Sequence, residues 1–171
     1  MKKSVEMKII TPPNFFQVIE NKHLLLDTSV FIDTSLNLRV FGDFLNKLKD
    51  NGNTLVSLDA VKIEFLRGAG NITKYEEKKQ LFEKICEACL PIIAGVFDNV
   101  YSLIQSYKED GKGISITDFL LGATLMYYKK NLFLLTKNTT EFPLSIFKLK
   151  TLLNLSHKKG LHSYGVYSFE G

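Results

Sequence analysis

The 171-residue chain predicts an α/β fold in which parallel strands are crossed by helices. Two observations carry that expectation. Short apolar runs of strand length alternate with longer stretches of helical period, and each strand-like run stops at polar residues. A hydrophobic fraction of 45% and a charged fraction of 23% suit one domain with a full core.

Residues 1–22 read as an N-terminal extension in which EMKII is an edge strand. HLLLD, starting at His23, is a first central strand. FGDFLNKLKD places Phe41, Phe44, Leu45 and Leu48 on one helical face, and the turn formers Asn51 and Gly52 lead into a second strand, NTLVSL (53–58). DAVKIEFLRG is a helix with Val61 and Phe65 inward and Gly68 as its stop. Helical period from 73 to 110 with a break at Pro91 predicts an α-hairpin, TKYEEKKQLFEKICEAC followed by AGVFDNVYSLIQSYKED. Its Cys86 and Cys89 form a lone CxxC without a second ligand pair, which reads as two buried thiols. GKG, with Gly111 and Gly113, is a turn too short to be a phosphate loop. ISITDFLLGATLMYYKK is a further helix with Phe119, Leu120, Ala123 and Tyr127 in register, and NLFLLT (131–136) a third apolar strand. After Pro143, FKLKTLLNL and HSYGVYSF predict strands joined by a turn at 156–160 and packed on the same domain.

The net charge of +4 and pI near 8.9 permit a polyanionic partner without demanding one. The lysine pairs Lys78 and Lys79, Lys129 and Lys130, Lys158 and Lys159 read as solvated surface. No apolar run approaches the roughly 20 residues of a membrane span, and the basic start lacks the apolar core of a signal peptide. A cytoplasmic location without membrane contact is expected.

Asp27 is the anomaly of the first strand. A carboxylate closing a buried apolar run costs several kcal/mol unless it is solvated, hydrogen-bonded or bound to a cation. Ligands of open parallel sheets bind beyond the carboxyl ends of the strands, and that edge gathers Asp27, Glu64, Asp118 and, after the third strand, Thr136, Asn138 and Glu141. Each has a structural reading alone. Asp27 with Thr28 and Ser29 fits a helix N-cap, Ser115 and Asp118 fit a capping box, Glu64 fits a solvated helix position, and Asn138 fits an Asx-turn. Together they suit a hard divalent cation, Mg²⁺ or Mn²⁺, which relieves the repulsion between neighbouring acids.

The ordered set LLLDTSVFID, VKIEFLRG, ISITDFLLGATL and LFLLTKNTTEF resembles the PIN-domain nucleases, especially the VapC-like toxins of type II toxin–antitoxin pairs. The resemblance runs from about residue 24 to 142. It implies a PIN-like, Rossmann-like three-layer α/β/α sandwich with a central, mainly parallel sheet over 23–142, and an endoribonuclease using one or two Mg²⁺ or Mn²⁺ ions. On it, Asp27, Glu64 and Asp118 match the catalytic acids, and with Glu141 they match the metal ligands. Thr28, Ser29, Thr136 and Asn138 match polar groups behind those ligands. The family pattern TxNxxDF reads TKNTTEF here, so Glu141 is one methylene longer than the usual Asp; Asp33 matches a carboxylate that often follows the first motif.

The implied partners are single-stranded or looped RNA, a small antitoxin whose tail blocks the acids, and a second copy of the chain. Arg67 and Lys137 are the cations expected on RNA, with Lys112 and Arg39 further candidates. His23, His157 and His162 all lie outside the motifs, which argues against histidine acid–base cleavage. Water attack on the phosphate would leave a 5′-phosphate and a 3′-hydroxyl. Competing readings are a PIN-like RNA-binding or scaffold module without activity, an RNA-processing nuclease that is not a toxin, and a phosphotransfer fold. The last wants a second Asp two positions after the first, where Ser29 stands, or an early acidic pair.

Overall fold

A computed structural model of the chain describes residues 6–107, 113–157 and 160–171. The strands are β1 (Lys8–Ile10), β2 (His23–Leu26), β3 (Thr54–Ser57), β4 (Ala88–Cys89), β5 (Leu132–Thr136), β6 (Lys148–His157) and β7 (Gly160–Ser168). They form one sheet in the order β1-β6-β7-β5-β2-β3-β4. Strands β5, β2, β3 and β4 run parallel, and β7, β6 and β1 extend the β5 side antiparallel. All of β5 is buried, as are Leu24, Leu25 and Leu26 of β2, because these strands carry apolar side chains on both faces and are covered on both.

Seven helices flank the sheet among the described residues: α1 (Phe15–Ile19), α2 (Thr28–Leu36), α3 (Leu38–Asp50), α4 (Asp59–Arg67), α5 (Ile72–Ile85), α6 (Ala94–Tyr107) and α7 (Ile116–Tyr128). Helix α3 buries the stripe Phe41, Phe44, Leu45 and Leu48 that its spacing predicts. Helices α2 to α5 link β2, β3 and β4 and pack on one another, while α6 and α7 pair with each other on the way back to β5. Right-handed crossovers put these two groups on opposite faces, because the chain reverses its direction across the sheet after β4. The reversal falls between β2 and β5, whose carboxyl ends open the crevice where open sheets bind ligands.

The structure departs from the sequence reading in four places. The predicted α-hairpin is interrupted: α5 ends at Ile85, and Glu87 to Leu90 bond to β3 instead, with Glu87 N–H donating to the Leu55 carbonyl and Leu90 N–H to that of Ser57, both at 2.8 Å. The free edge of β3 demands hydrogen-bond partners, and a residue preceding Pro91 resists helix. The two cysteines are therefore neither helical nor fully buried. Cys86 donates its thiol to the Ala88 carbonyl at 3.1 Å, and burial pushes its pKa up to about 12, which disfavours the reactive thiolate. Tyr127 lies exposed at the edge of α7, whose buried run is Phe119 to Leu125. Finally, the short α1, absent from the sequence reading, buries Phe15 and Ile19. Gly111, Lys112, the end of the second predicted hairpin helix at 108–110, and Lys158 with Lys159 of the last turn lie outside the described residues.

The Asn51–Gly52 turn is as predicted. Gly52 has φ +80°, and a Cβ there would collide with the Asn21 side chain. Gly52→Ala is expected to cost about 1–2 kcal/mol from backbone strain alone. At roughly 2–4 °C per kcal/mol for a chain of this size, thermal unfolding by circular dichroism should show a Tm lower by about 5 °C.

Candidate functional site

Asp27 follows the last residue of β2 and caps α2. Its backbone N–H continues the parallel ladder to the Leu135 carbonyl of β5 at 3.3 Å, which pins it over the β2–β5 crevice. The residue is 2% exposed, and both carboxylate oxygens accept hydrogen bonds. Oδ1 accepts from the Thr28 N–H at 2.6 Å, and Oδ2 accepts from the Ser29 hydroxyl at 3.1 Å and the Thr136 hydroxyl at 2.6 Å. Thr28, Ser29 and Thr136 thus all stand around Asp27, though not in the same way. Thr28 meets Asp27 through its backbone, and its hydroxyl donates to Glu64 Oε2 at 3.0 Å, joining α2 to α4.

Asp118 stands in the first turn of α7. Its backbone N–H donates to Ser115 Oγ at 3.1 Å, and the Ser115 hydroxyl returns a 2.8 Å bond to Asp118 Oδ2, so the capping-box reading of this pair is realised. That does not remove Asp118 from the acidic edge. Its pKa is raised, first by burial and also by the charge of Glu64, while Ser115 and the Asn138 side chain pull it back. Helices α4 and α7, which carry Glu64 and Asp118, touch although they belong to opposite faces of the sheet.

The remaining acids follow. Burial, then the charge of Asp118, raises the pKa of Glu141, whose backbone carbonyl takes a 2.8 Å bond from the Tyr107 hydroxyl. Asp27 is pushed up to about 6, first by burial and, among charges, by Asp118; the bonds from Thr136, Thr28 and Ser29 oppose the shift. Asp27, Glu64, Asp118 and Glu141 thus form one electrostatic neighbourhood drawn from β2, α4, α7 and the turn after β5. Among the described residues none of the four is in an ion pair.

The kind of donor fits a hard divalent cation: carboxylate oxygens, with hydroxyl and amide groups behind them and no sulfur or imidazole. The spacing is open. Among the described residues no three His, Cys, Asp or Glu side chains converge into a group that could hold an ion; Asp118 bonds to Ser115 and Glu64 to Thr28.

The cations expected on RNA divide. Arg67 is exposed on α4, in the wall of an open groove of about 590 Å³ with Ile63, Ile72 and Tyr75. Lys137 is committed elsewhere, its ammonium 2.9 Å from the buried carboxylate of Asp33. Arg39, the further candidate, pairs with Glu6 at the exposed surface. Sequence reasoning missed Tyr164, which is wholly buried and reaches Asp33 and the Ser29 carbonyl. Its only local signal is a tyrosine beside Gly165 in a strand, and nothing there points to α2.

No protein-family model and no curated protein matches the chain. Among solved structures it resembles a chain of VapBC2 from Rickettsia felis, crystallised bound to a DNA fragment from their promoter. The identity is 18% and the TM-score 0.52, over 62% of this chain and 81% of that one. At that identity the likeness is one of fold, and it agrees with the α/β sheet and flanking helices described above. Among the described residues no helix is long and apolar enough to cross a membrane.

The electrostatics of Asp27 predict a pH signature. Folding raises its pKa above the unfolded value of 3.8, so the stability conferred by the neutral carboxyl is complete below about pH 4 and is lost as the pH rises through about 6. In EDTA, denaturant unfolding should show the Asp27→Asn variant more stable than wild type above pH 7, by up to about 3 kcal/mol. The two should draw level near pH 4. An unchanged gap across that range would show that Asp27 is not strained by its charge.

Proposed function

We propose that the chain is a metal-dependent endoribonuclease of the PIN type, acting as the toxin of a toxin–antitoxin pair. The observation that supports this most is that the charge of Asp118 bears on Asp27 and Glu141, and that of Glu64 on Asp118, while none of the four acids has an ion-pair partner among the described residues. Acids that feel one another's charge and lack a countercharge favour a cation taken from solution.

Asp27, Asp118 and Glu64 would hold Mg²⁺ or Mn²⁺, with Glu141 beside them. The cation, when bound, supplies polarisation of the scissile phosphate and a more acidic attacking water. The chain's own groups do the rest. Thr136 and Ser29 hold Asp27 Oδ2 by two hydrogen bonds, and the Thr28 N–H holds Oδ1, so the carboxylate is presented in one orientation and keeps lone pairs for the crevice. Thr28 and Ser115 orient Glu64 and Asp118 in the same way. Arg67, one helical turn beyond Glu64, is the cation suited to an RNA phosphate near the acids, beside the exposed ring of Tyr75 on which a base could stack. The partner reading follows the fold likeness: a VapBC2 complex on promoter DNA supports a small antitoxin for this chain as well.

A second reading, a PIN-like RNA-binding module without activity, draws on the open spacing of the acids and on the longer Glu141. Cleavage of a mixed structured RNA by the purified chain with Mn²⁺, Mg²⁺ or EDTA separates the two. Metal-dependent cutting is expected, and RNA binding without cutting under either metal would favour the inactive module. Asp27→Asn and Asp118→Asn should each lose more than the roughly 10–100-fold that removal of an outer partner costs. Asp118→Asn should keep a wild-type fold, because Ser115 remains as the cap; normal cutting with a lowered Tm would leave Asp118 only its capping role. Glu141→Gln is expected to slow cleavage less than Asp27→Asn. Mn²⁺ should raise the Tm of wild type and not that of Asp27→Asn.

A further inference from the structure

The C-terminal hairpin reaches into the first turn of α2. Strand β7 pairs antiparallel with β5 so that Gly165 stands opposite Thr136, whose hydroxyl holds Asp27. The preceding residue of β7 is therefore level with Lys137, just past the end of β5. That residue is Tyr164, a fully buried side chain.

Its hydroxyl lies between two groups of α2, the carboxylate of Asp33 and, at 3.1 Å, the Ser29 carbonyl. Burial and the neighbouring Asp33 charge push the phenol pKa up, so the group stays a donor. With one proton to give, it serves the charged acceptor, and the Ser29 carbonyl is a close second. Lys137 completes the grip from β5. Its ammonium is 2.9 Å from the same Asp33 oxygen and 5.9 Å above the Tyr164 ring, and its backbone N–H donates to Ser29 Oγ at 3.3 Å. Ser29 passes the connection on, because its hydroxyl donates to Asp27 Oδ2.

None of this serves contact with a substrate. Tyr164 has no exposed surface, and Lys137 directs its charge at a buried aspartate. An ordinary helix packed on a sheet needs only apolar contacts, which α2 already has through Val30 and Phe31. An ion pair and a phenol placed against its first two turns fix its position along and around its own axis, which apolar packing alone specifies weakly.

We propose that Tyr164, with Asp33 and Lys137, is a positioning strut through which the C-terminal hairpin sets the placement of Asp27. The proposal deepens the nuclease reading and rests on it only for its consequence in catalysis. Lys137 thereby has a duty other than RNA contact, and Tyr164 is a positioning residue, not a catalytic one.

Tyr164→Phe tests the strut in the full chain, since it keeps the ring in the core and removes only the hydroxyl. Hydrogen exchange resolved by residue reads the placement of α2 directly. The Val30 amide, bonded to the Asp27 carbonyl, and the Lys137 amide should lose about 10-fold of their protection, while Leu25 of β2 and Val56 of β3 change little. Asp33→Asn, which keeps an acceptor for Tyr164 and loses the ion pair, should give a smaller loss at the same amides. A uniform loss across all four amides, or no loss at Val30 and Lys137, overturns the strut. Calorimetry with Mn²⁺ alone and steady-state cleavage then read its consequence: weaker Mn²⁺ binding by about 10-fold and a lower kcat at unchanged KM are expected. Absence of Mn²⁺ binding and cleavage in wild type would overturn the nuclease reading instead, and the exchange result would still decide the strut.

Discussion

The hydrogen bond from Thr136 to Asp27 is the contact on which the rest of the site depends. It crosses the line between β2 and β5, the two strands between which the sheet reverses its order. Helix α2 follows β2, whereas β5 runs on through a turn at 139–141 toward β6, and it is beyond the ends of two such strands that open sheets bind ligands. A buried carboxylate there can be kept only if the two strands share it. Asp27 is bonded to β5 through its backbone N–H and Thr136, and to the start of α2 through Thr28 and Ser29. The geometry of the crevice and the orientation of its first acid are one constraint.

Capping is compatible with the chemistry proposed for these acids. Asp27 is the N-cap of α2, and Asp118 belongs to a capping box of α7, as a purely structural reading of either would have it. The same hydrogen bonds that end the helices aim the carboxylates. A helix N-terminus favours a negative charge, so it is an economical place to keep acids that repel one another. Burial and mutual charge nevertheless raise the proton affinity of Asp27, Asp118 and Glu141. Capping bonds alone therefore do not offset the burial and mutual repulsion of these acids.

The C-terminal hairpin is more than an appendage to the sheet. Its strand β7 completes the hydrogen bonding of β5, places Tyr167 against Phe142, and carries Tyr164 to α2. Lysines of β6 hold the tail through Glu170, whose pKa their bonds lower to about 2. The edge that β5 would otherwise leave open is covered, and β1 caps the far side as a short edge strand.

The sequence by itself determined what acts within a few residues. The apolar runs of β2, β3 and β5, the stripe of α3, the Asn51–Gly52 turn and the serine before Asp118 follow from side-chain period and local hydrogen bonding. The order of the acids along the chain pointed to a shared edge, because an α/β topology brings strand ends together whatever the details of each helix. Only the tertiary structure decided which partners those acids found. Thr28 turns its hydroxyl to Glu64, 36 positions on, and Tyr164 bonds Asp33 across 131 positions. The stretch around Cys86 and Cys89 has helical period, yet it is drawn straight by the free edge of β3. Periodicity states which face of an element is apolar; it says nothing of which unpaired edge or buried charge will lie beside it, and those are set by how the sheet is ordered.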